Sequence, residues 1–228
     1  MSLASRRNIL ISGTSRGLGL ALAEALTKGG HDVVGISRRP GNSFCELNGD
    51  LTKPDTLHDC IRQLSSHWTH IDLLIHNAGV YPEEADSRFA DLPHNLFKEA
   101  FETNVLGTIA LTREALPLME KSSTPRIVVF GSGIGSVENK SDSRSYCYGP
   151  SKAALHMWAR TLSFELTPPK WIVSVISPGW VRTEMGGPNA DLSVDEVIPS
   201  LSRTILNLSP DHHGHFINRH GESGDYKW

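Results

Sequence analysis

Residues 8–19 read NILISGTSRGLG, in which a short apolar run at residues 9–11 leads into glycines at positions 13, 17 and 19. An apolar run this short, ending near a glycine, indicates a β-strand that is buried on both faces. Glycines that open the following helix leave its first backbone N–H groups accessible to a phosphate. The alternative explanation is a tight turn that requires positive φ. The spacing, G-x-x-x-G-x-G, differs from the G-x-G-x-x-G fingerprint of many dinucleotide-binding proteins.

Four further apolar runs follow along the chain, at residues 33–36, 71–75, 127–130 and 172–176. Helical periodicity fills the intervals, and Gly29-Gly30 ends the first of these helices. Strands that alternate with helices predict a parallel sheet with right-handed crossovers. We therefore predict an α/β Rossmann fold in a single domain over residues 1–228: a doubly wound parallel sheet of about seven strands, with helices on both faces.

One connection between strands is too short to contain a helix. Only residues 38–43 separate the second strand from the next candidate strand at residues 44–47. A crossover helix needs about a dozen residues or more. Six extended residues reach about 20 Å, so a bare loop can make the return. We predict that no helix lies there.

The charge balance argues against a nucleic-acid partner. The chain has 22 Lys and Arg against 25 Asp and Glu, a formal net charge of −3. No basic surplus is present to neutralise a phosphate backbone or an anionic membrane surface. No apolar run approaches the roughly 20 residues that span a bilayer. We therefore expect a cytoplasmic protein with neither a nucleic-acid nor a membrane partner.

Cysteine and histidine patterns do not predict a disulfide framework or a metal site. The three cysteines, Cys45, Cys60 and Cys147, lack CxxC spacing, and we interpret them as ordinary core residues in a reducing compartment. A cluster of histidines near the C-terminus has no neighbouring cysteines or carboxylates at ligand spacing, so we predict no metal there. The cluster consists of His212, His213, His215 and His220.

Arginines at the end of the second strand bear on the choice of nucleotide. In folds that bind NAD, an acidic residue about 20 positions after the glycines usually holds the ribose 2′-hydroxyl. Here residues 33–45 contain no Asp or Glu, and the strand ends in Ser37, Arg38 and Arg39. Arg16 lies within the glycine segment, and the guanidinium fork suits a phosphate. We predict NADP(H) over NAD, with solvated loop charges as the alternative explanation.

A second group of polar residues is typical of acid/base chemistry. Tyr148 and Lys152 stand four residues apart at the start of a predicted helix and therefore share one face. A nearby cation can lower the pKa of a tyrosine, ordinarily near 10, by about 1 to 3, which makes a proton donor near neutrality. Ser132 follows a strand at the edge where parallel folds place ligands. Ser136 is the rival serine, and Tyr146 is a rival tyrosine on another helix face.

Together, several motifs resemble, in order and spacing, the short-chain dehydrogenase/reductase family. They are residues 13–19, Asn-Ala-Gly at 77–79, Asn104, Ser132, Tyr148-x-x-x-Lys152 and Pro178-Gly179. The resemblance covers about residues 8–183, with a weaker tail to 228, and is strongest to the shorter, C-factor-like members. It implies a cofactor half at about residues 8–131 and a catalytic and substrate half at about 132–228.

The resemblance implies roles for four residues. Tyr148 would be the general acid/base, and Ser132 would orient the substrate oxygen. Lys152 would hold the nicotinamide ribose and lower the pKa of Tyr148, while Asn104 would hold open a helix bend and a water that relays protons. The implied activity is NADP(H)-dependent transfer of hydride between nicotinamide and a carbonyl or secondary alcohol of a small molecule. Two alternatives remain: a nucleotide-binding regulatory or signalling protein on this scaffold, and a biosynthetic dehydratase or epimerase.

The resemblance also implies a set of residues that bind the cofactor. Asp50 would contact the adenine, Asn77 and Gly79 would lie along the adenosine ribose, and Thr183 would contact the carboxamide. With Tyr148 and Lys152, the full set is Gly13, Thr14, Ser15, Arg16, Gly17, Leu18, Gly19, Ser37, Arg38, Arg39, Asp50, Leu51, Asn77, Ala78, Gly79, Pro178, Gly179, Val181 and Thr183.

The sequence departs from the family pattern at two positions and has a short substrate lid. His76 stands where the family often has another Asn, and Gly131 replaces a common Ser. Only residues 185–192 separate Thr183 from the next helical stretch at 194–206, which suits a small or elongated substrate. Helices at residues 96–119 and 147–166 pack in most relatives as a dimer interface, which implies a homodimer or homotetramer. Candidate pocket residues by position are Tyr81, Ile134, Tyr146, Trp180 and Met185.

Overall fold

The computed structural model of the chain describes residues 6–41, 45–84, 86–224 and 227–228. These residues contain one parallel sheet in which the third strand of the sequence lies at one edge and the seventh at the other. The strands are β1 (Asn8–Ser12), β2 (Asp32–Ser37), β3 (Cys45–Asn48), β4 (Leu73–His76), β5 (Arg126–Phe130), β6 (Ile172–Ser177) and β7 (Phe216–Asn218). Their order is β3-β2-β1-β4-β5-β6-β7. This confirms the predicted doubly wound parallel sheet.

Helices cover both faces of the sheet because successive strand residues point in opposite directions. On one face, Leu10 of β1 belongs to a core shared with the second, fourth and fifth helices, whereas its neighbours Ile9 and Ile11 pack with the first and sixth. The helices are α1 (Gly17–Lys28), α2 (Pro54–Ser65), α3 (His94–Phe101), α4 (Gly107–Met119), α5 (Tyr148–Glu165) and α6 (Val194–Leu206), and a π-helical segment (Glu102–Leu106) joins α3 to α4.

The short connection after β2 is a loop as far as the structure describes it. Residues 38–41 are not helical, and residues 42–44 of the predicted loop and strand lie outside the described residues. Strand β3 begins at Cys45 and forms the edge of the sheet, which leaves this cysteine exposed. The prediction that all three cysteines are core residues is therefore wrong for Cys45, while Cys60 and Cys147 are buried.

The C-terminal histidines connect segments of the backbone. His213 Nδ1 accepts the backbone N–H of Val173 at 3.2 Å, and His212 Nδ1 accepts that of Ser209 at 3.0 Å. No three His, Cys, Asp or Glu side chains gather as a metal-binding group in the described part of the chain. Among those same residues, no helix is long and apolar enough to cross a membrane.

Candidate active site

The carboxyl ends of the parallel strands lie at one edge of the sheet, and the candidate segments follow those ends. Residues 13–19 follow β1, residues 77–79 follow β4, Ser132 follows β5, and Pro178 follows β6. Parallel strand direction therefore gathers motifs that are far apart in the sequence.

The glycine segment and the turn after β4 pack without room for side chains. A Cβ on Gly13, whose φ is 76°, would lie 2.7 Å from Ala78 Cα. A Cβ on Gly19 would lie 2.2 Å from Asn77 Nδ2 and 2.3 Å from Gly13 O. Asn77 Nδ2 donates to the carbonyls of Ser12 and Gly13 at 3.0 and 2.8 Å. Because α1 begins here without a side-chain cap, its first N–H groups suit the pyrophosphate of a dinucleotide.

The segment after β6 reaches the same place. A Cβ on Gly17 would lie 3.5 Å from Thr183 Cγ2, so Thr183 borders the glycine segment. Gly179 has a φ of 88°, and a Cβ there would lie 2.8 Å from Leu192 Cδ1. Val181 is buried and forms a bridge with Leu192. Thr183 therefore lies at the predicted phosphate site, while Gly179 and Val181 hold the segment after β6 against Leu192.

The arginines predicted to surround one phosphate have different partners. Arg16 forms an exposed ion pair with Glu184, Nη1 to Oε2 at 2.7 Å, and so reaches the loop after β6. The charge of Arg38 acts on Asp50: burial raises the pKa of that carboxyl, but hydrogen bonds from Thr52 and the charge of Arg38 hold the pKa below its usual range. Arg39 is exposed. Arg38 therefore lies near Asp50, the residue predicted to contact the adenine, whereas Arg16 is paired with Glu184.

Three other predicted cofactor residues differ in their surroundings. Ser37 is buried, and its hydroxyl has no hydrogen-bond partner among the described residues. Leu51 is buried against the start of α4, where a Cβ on Gly107 would lie 2.6 Å from Leu51 Cβ. Ser15 is exposed in the glycine segment.

A carboxylate that the sequence analysis missed also reaches the glycine segment. Thr14 Oγ1 donates to Glu46 Oε1 at 2.6 Å, and the backbone N–H of Gly41 donates to Oε2 at 2.9 Å. Glu46 lies in β3, just after residues 33–45, which contain no acid. Extending the search for acids into the next strand would have found it.

The catalytic candidates meet beside Gly79. Tyr148 is the first residue of α5, and Ser132 lies near enough to its hydroxyl to lower the pKa of the phenol. Lys152 Nζ lies 5.6 Å from the centroid of the Tyr148 ring. A Cβ placed on Gly79 would lie 3.2 Å from Asn104 Oδ1 and 3.7 Å from Lys152 Nζ. The structure therefore brings the four predicted catalytic residues to one place.

Asn104 lies in the π-helical segment, which fits the predicted helix bend. Its side chain is buried, with Oδ1 accepting the N–H of Val80 at 2.8 Å and Nδ2 donating to the carbonyl of Val80 at 3.0 Å. Nδ2 also donates to Ser151 Oγ at 2.9 Å. Asn104 thus joins the loop after β4 to the helix that carries Tyr148.

Burial controls the acidity of the central pair. Burial raises the pKa of Tyr148 to about 12, against the opposing effect of the Ser132 hydrogen bond. Burial also lowers the pKa of Lys152 to about 8. The direction for Tyr148 is opposite to the predicted lowering, because burial outweighs the other effects on the phenol. Lys152 Nζ donates to the Phe130 carbonyl at 2.8 Å and faces the ring of the tyrosine.

The rival serine and tyrosine have other contacts. Ser136 is buried, and its Oγ accepts the backbone N–H of Asn139 at 3.3 Å. The ring of Tyr146 packs against Phe89, with centroids 5.4 Å apart. Of the two serines, Ser132 is the one that acts on the pKa of Tyr148, as the sequence analysis favoured.

The two departures from the family pattern have structural explanations. A Cβ on Gly131 would lie 2.4 Å from Val175 Cγ1 and 2.6 Å from His156 Nε2, so the usual serine would not fit here. His76 Nε2 lies 2.8 Å from Thr112 Oγ1, which joins β4 to α4. Burial lowers the pKa of His76 to about 3, so this ring is neutral near pH 7.

His156 was also missed by the sequence analysis. Its Nε2 accepts the backbone N–H of Ser132 at 3.3 Å. Burial and the charge of Lys152 lower the pKa of His156 to about 3, so the ring remains a hydrogen-bond acceptor near neutral pH. The signal was present in the sequence, because Tyr148, Lys152 and His156 recur at intervals of four on one helix face.

The candidate pocket residues differ in exposure and contacts. Tyr81 contacts the site, with its ring centroid 4.8 Å from that of Tyr148. Ile134, Trp180 and Met185 are exposed, and Trp180 Nε1 donates to the carbonyl of Gly186 at 2.8 Å. Tyr81 therefore packs against Tyr148, and the backbone N–H of Ile134 donates to Ser132 Oγ at 3.2 Å.

Comparisons with known proteins agree with this geometry. The family model described as short chain dehydrogenase matches residues 7–192. The C-signal protein of Myxococcus xanthus is 34% identical over 154 residues, covering 66% of this chain and 90% of that protein. The structure of carbonyl reductase Sniffer of D. melanogaster has a TM-score of 0.89 at 26% identity, with coverage of 98% of this chain and 100% of that one.

A structure from Burkholderia multivorans with bound NADP has a TM-score of 0.86 at 27% identity, covering 98% of this chain and 100% of that one. The family model spans β1 to β6, and so includes the glycine segment, Ser132, Tyr148 and Lys152. The chain therefore belongs to the short-chain dehydrogenase/reductase family of oxidoreductases.

Proposed function

We propose that this protein is an NADP(H)-dependent oxidoreductase that interconverts a carbonyl and a secondary alcohol on a small molecule. The observation that supports this most strongly is that Lys152 and Asn104 border the same glycine, while Lys152 faces the ring of Tyr148 and Ser132 lies near enough to the phenol to act on its pKa. This group lies at the sheet edge where the glycine segment opens. The similarity to a carbonyl reductase and to a structure with bound NADP supports the same reaction class.

The chain's own residues perform orientation and proton transfer. NADPH, when bound, supplies the hydride. Tyr148 donates its phenolic proton to the substrate oxygen, while the Ser132 hydroxyl orients that oxygen. Lys152, with a pKa of about 8, is mostly protonated at pH 7 and stabilises the phenolate that remains. Asn104 holds Val80 and thereby keeps the turn at Gly79 in place.

NADPH absorbance during incubation with a panel of ketones and aldehydes tests this proposal. We expect substrate-dependent loss of absorbance with NADPH, and slower loss with NADH. Tight binding of NADPH, with neither reduction of any carbonyl by NADPH nor oxidation of any alcohol by NADP+, would count against an oxidoreductase.

The name of the relative C-signal favours a second candidate, a regulatory or signalling protein that binds a nucleotide. Such a protein needs the glycine segment but not the Ser132–Tyr148–Lys152 arrangement.

A dehydratase or epimerase would use those three residues and regenerate the cofactor within each turnover. A reductase, in contrast, consumes NADPH. Product analysis by mass spectrometry therefore distinguishes the two.

The arginines after β2 give a prediction about nucleotide choice. Arg38→Ala combined with Arg39→Ala should raise the Kd for NADPH roughly tenfold to a hundredfold, because charge-assisted hydrogen bonds to the 2′-phosphate contribute about 1.5–3 kcal/mol. The Kd for NADH should change little. Fluorescence titration of both nucleotides measures the difference, with Arg62→Ala on α2 as the control. Equal losses for NADPH and NADH would refute the 2′-phosphate assignment.

Exposed apolar side chains on the central helices support a homodimer or homotetramer. Leu106 of the π-helical segment and Met157 and Phe164 of α5 are exposed. Leu106→Glu combined with Phe164→Glu should shift the mass in sedimentation equilibrium to that of one chain, whereas Val137→Glu, on an exposed loop, should not. A monomeric unmodified protein would contradict the proposal.

A further inference from the structure

The loop after β4 contacts the first turn of α5 through Glu83, which is only 5% exposed. Its Oε1 accepts the backbone N–H groups of Cys147 and Tyr148, each at 2.9 Å. Oε2 is also buried, and none of the described residues donates a hydrogen bond to it. The helix has no side-chain cap from its own N-cap residue, Cys147. Glu83 therefore satisfies donors that the start of α5 would otherwise leave free, where the helix dipole also favours an anion.

The chain enters this helix through an unfavourable backbone conformation. Ser145 has a φ of 60°, in the left-handed region that residues with side chains rarely adopt. Its Oγ lies 2.7 Å from the Tyr81 hydroxyl, and its carbonyl accepts the N–H of Gly149 at 2.9 Å. Such a conformation persists only where surrounding contacts hold it. Tyr81 and Glu83, two residues apart on one loop, supply those contacts at two points.

We propose that Glu83 is a positioning residue for Tyr148: its carboxylate fixes the first turn of α5 and thereby the place of the phenol relative to Ser132. Without this carboxylate the turn loses two hydrogen bonds, and the segment at Ser145 can relax. The phenol would then move away from the substrate oxygen. A displacement of about 1 Å at a reacting group can lower the rate about a hundredfold. The inference rests on the proposed function of Tyr148.

Glu83 also affects Tyr148 through its charge. Burial is the main cause of the raised pKa of Tyr148, and the charge of Glu83 adds to it. The groups that face the phenol are Ser132, Tyr81 and Glu83, and Lys152 lies over its ring. Loss of the negative charge should lower the pKa of Tyr148. Alcohol oxidation, which requires the phenolate as base, should then begin at lower pH.

Two substitutions separate anchoring from charge. Glu83→Ala removes both and should lower kcat about a hundredfold. Glu83→Gln keeps an oxygen that can accept both N–H groups, so kcat should recover to near that of the unmodified protein. Its pH profile for alcohol oxidation should lie roughly one pH unit lower. The matched controls are Asp72→Ala and Asp72→Asn, because Asp72 Oδ2 accepts the backbone N–H of Asn8 at 2.9 Å at the amino end of β4. Both controls should keep kcat and the pH profile.

The proposal is overturned if Glu83→Ala keeps its kcat and loses only thermal stability, which is the result expected for Asp72→Ala. If Glu83→Ala does not fold, an unchanged pH profile in Glu83→Gln overturns it. A protein without turnover on any carbonyl or alcohol contradicts the proposed function instead. In that case hydrogen exchange tests the anchoring alone: the amides of Cys147 and Tyr148 should exchange faster in Glu83→Ala than in Glu83→Gln or the Asp72 variants.

Discussion

Replacing Tyr148 with phenylalanine should lower kcat for carbonyl reduction about a thousandfold, within the range for removal of a general acid. The substitution removes one oxygen, the proposed proton donor beside Ser132, and keeps the ring that packs against Tyr81. The raised pKa of about 12 means that this phenol is protonated at neutral pH and ready to donate in the reductive direction. We therefore expect thermal stability to change little and the effect on Kd for NADPH to be much smaller than the effect on kcat.

The matched control is Tyr146→Phe. Tyr146 lies two residues before Tyr148 and loses the same atom, but its ring packs against Phe89. Steady-state rates with NADPH and the best carbonyl of the panel compare the two variants. Comparable rates for Tyr148→Phe and Tyr146→Phe would exclude Tyr148 as the acid.

Local rules explain which parts of the molecule could be predicted from the sequence. The predicted helix at residues 194–206 coincides with α6, where Ser193 and Glu196 form a capping box. Tyr148 and Lys152 meet because their spacing is that of one helical turn, and Ser132 meets them because parallel strands end at the same sheet edge. Each of these contacts follows from a regular element and its direction.

The contacts that the sequence did not reveal join residues that are far apart along the chain. Glu83 binds the backbone of Cys147, 64 positions away, and neither residue belongs to a motif. Similarly, Glu46 reaches Thr14 only because β3 lies beside β2 and near the glycine segment. Partners of this kind depend on how loops and neighbouring strands pack, and no periodic pattern encodes them. The pKa of Tyr148 is raised rather than lowered because the phenol is buried. Burial depends on the whole folded chain and cannot be inferred from the spacing of Tyr148 and Lys152.

The glycine segment gives the second large expected effect. Gly19→Ala should destabilise the fold by about 1–3 kcal/mol and raise the Kd for NADPH more than tenfold, because overpacking forces backbone shifts. The added Cβ would lie 2.3 Å from Gly13 O, a backbone atom, and 2.2 Å from Asn77 Nδ2. Relieving both contacts separates the glycine segment from the turn after β4, and these are two walls of the proposed pyrophosphate site.

Gly29→Ala is the control for this substitution, because Gly29 ends α1 in the right-handed helical region with a φ of −71°. Its added Cβ would lie 3.2 Å from the carbonyl oxygen of Leu26, a far milder contact. We expect a stability change within about 0.5 kcal/mol, typical of surface positions, and an unchanged Kd. Thermal unfolding and fluorescence titration with NADPH measure both variants. If Gly19→Ala bound NADPH as tightly as Gly29→Ala, the segment at residues 13–19 would not be the pyrophosphate site.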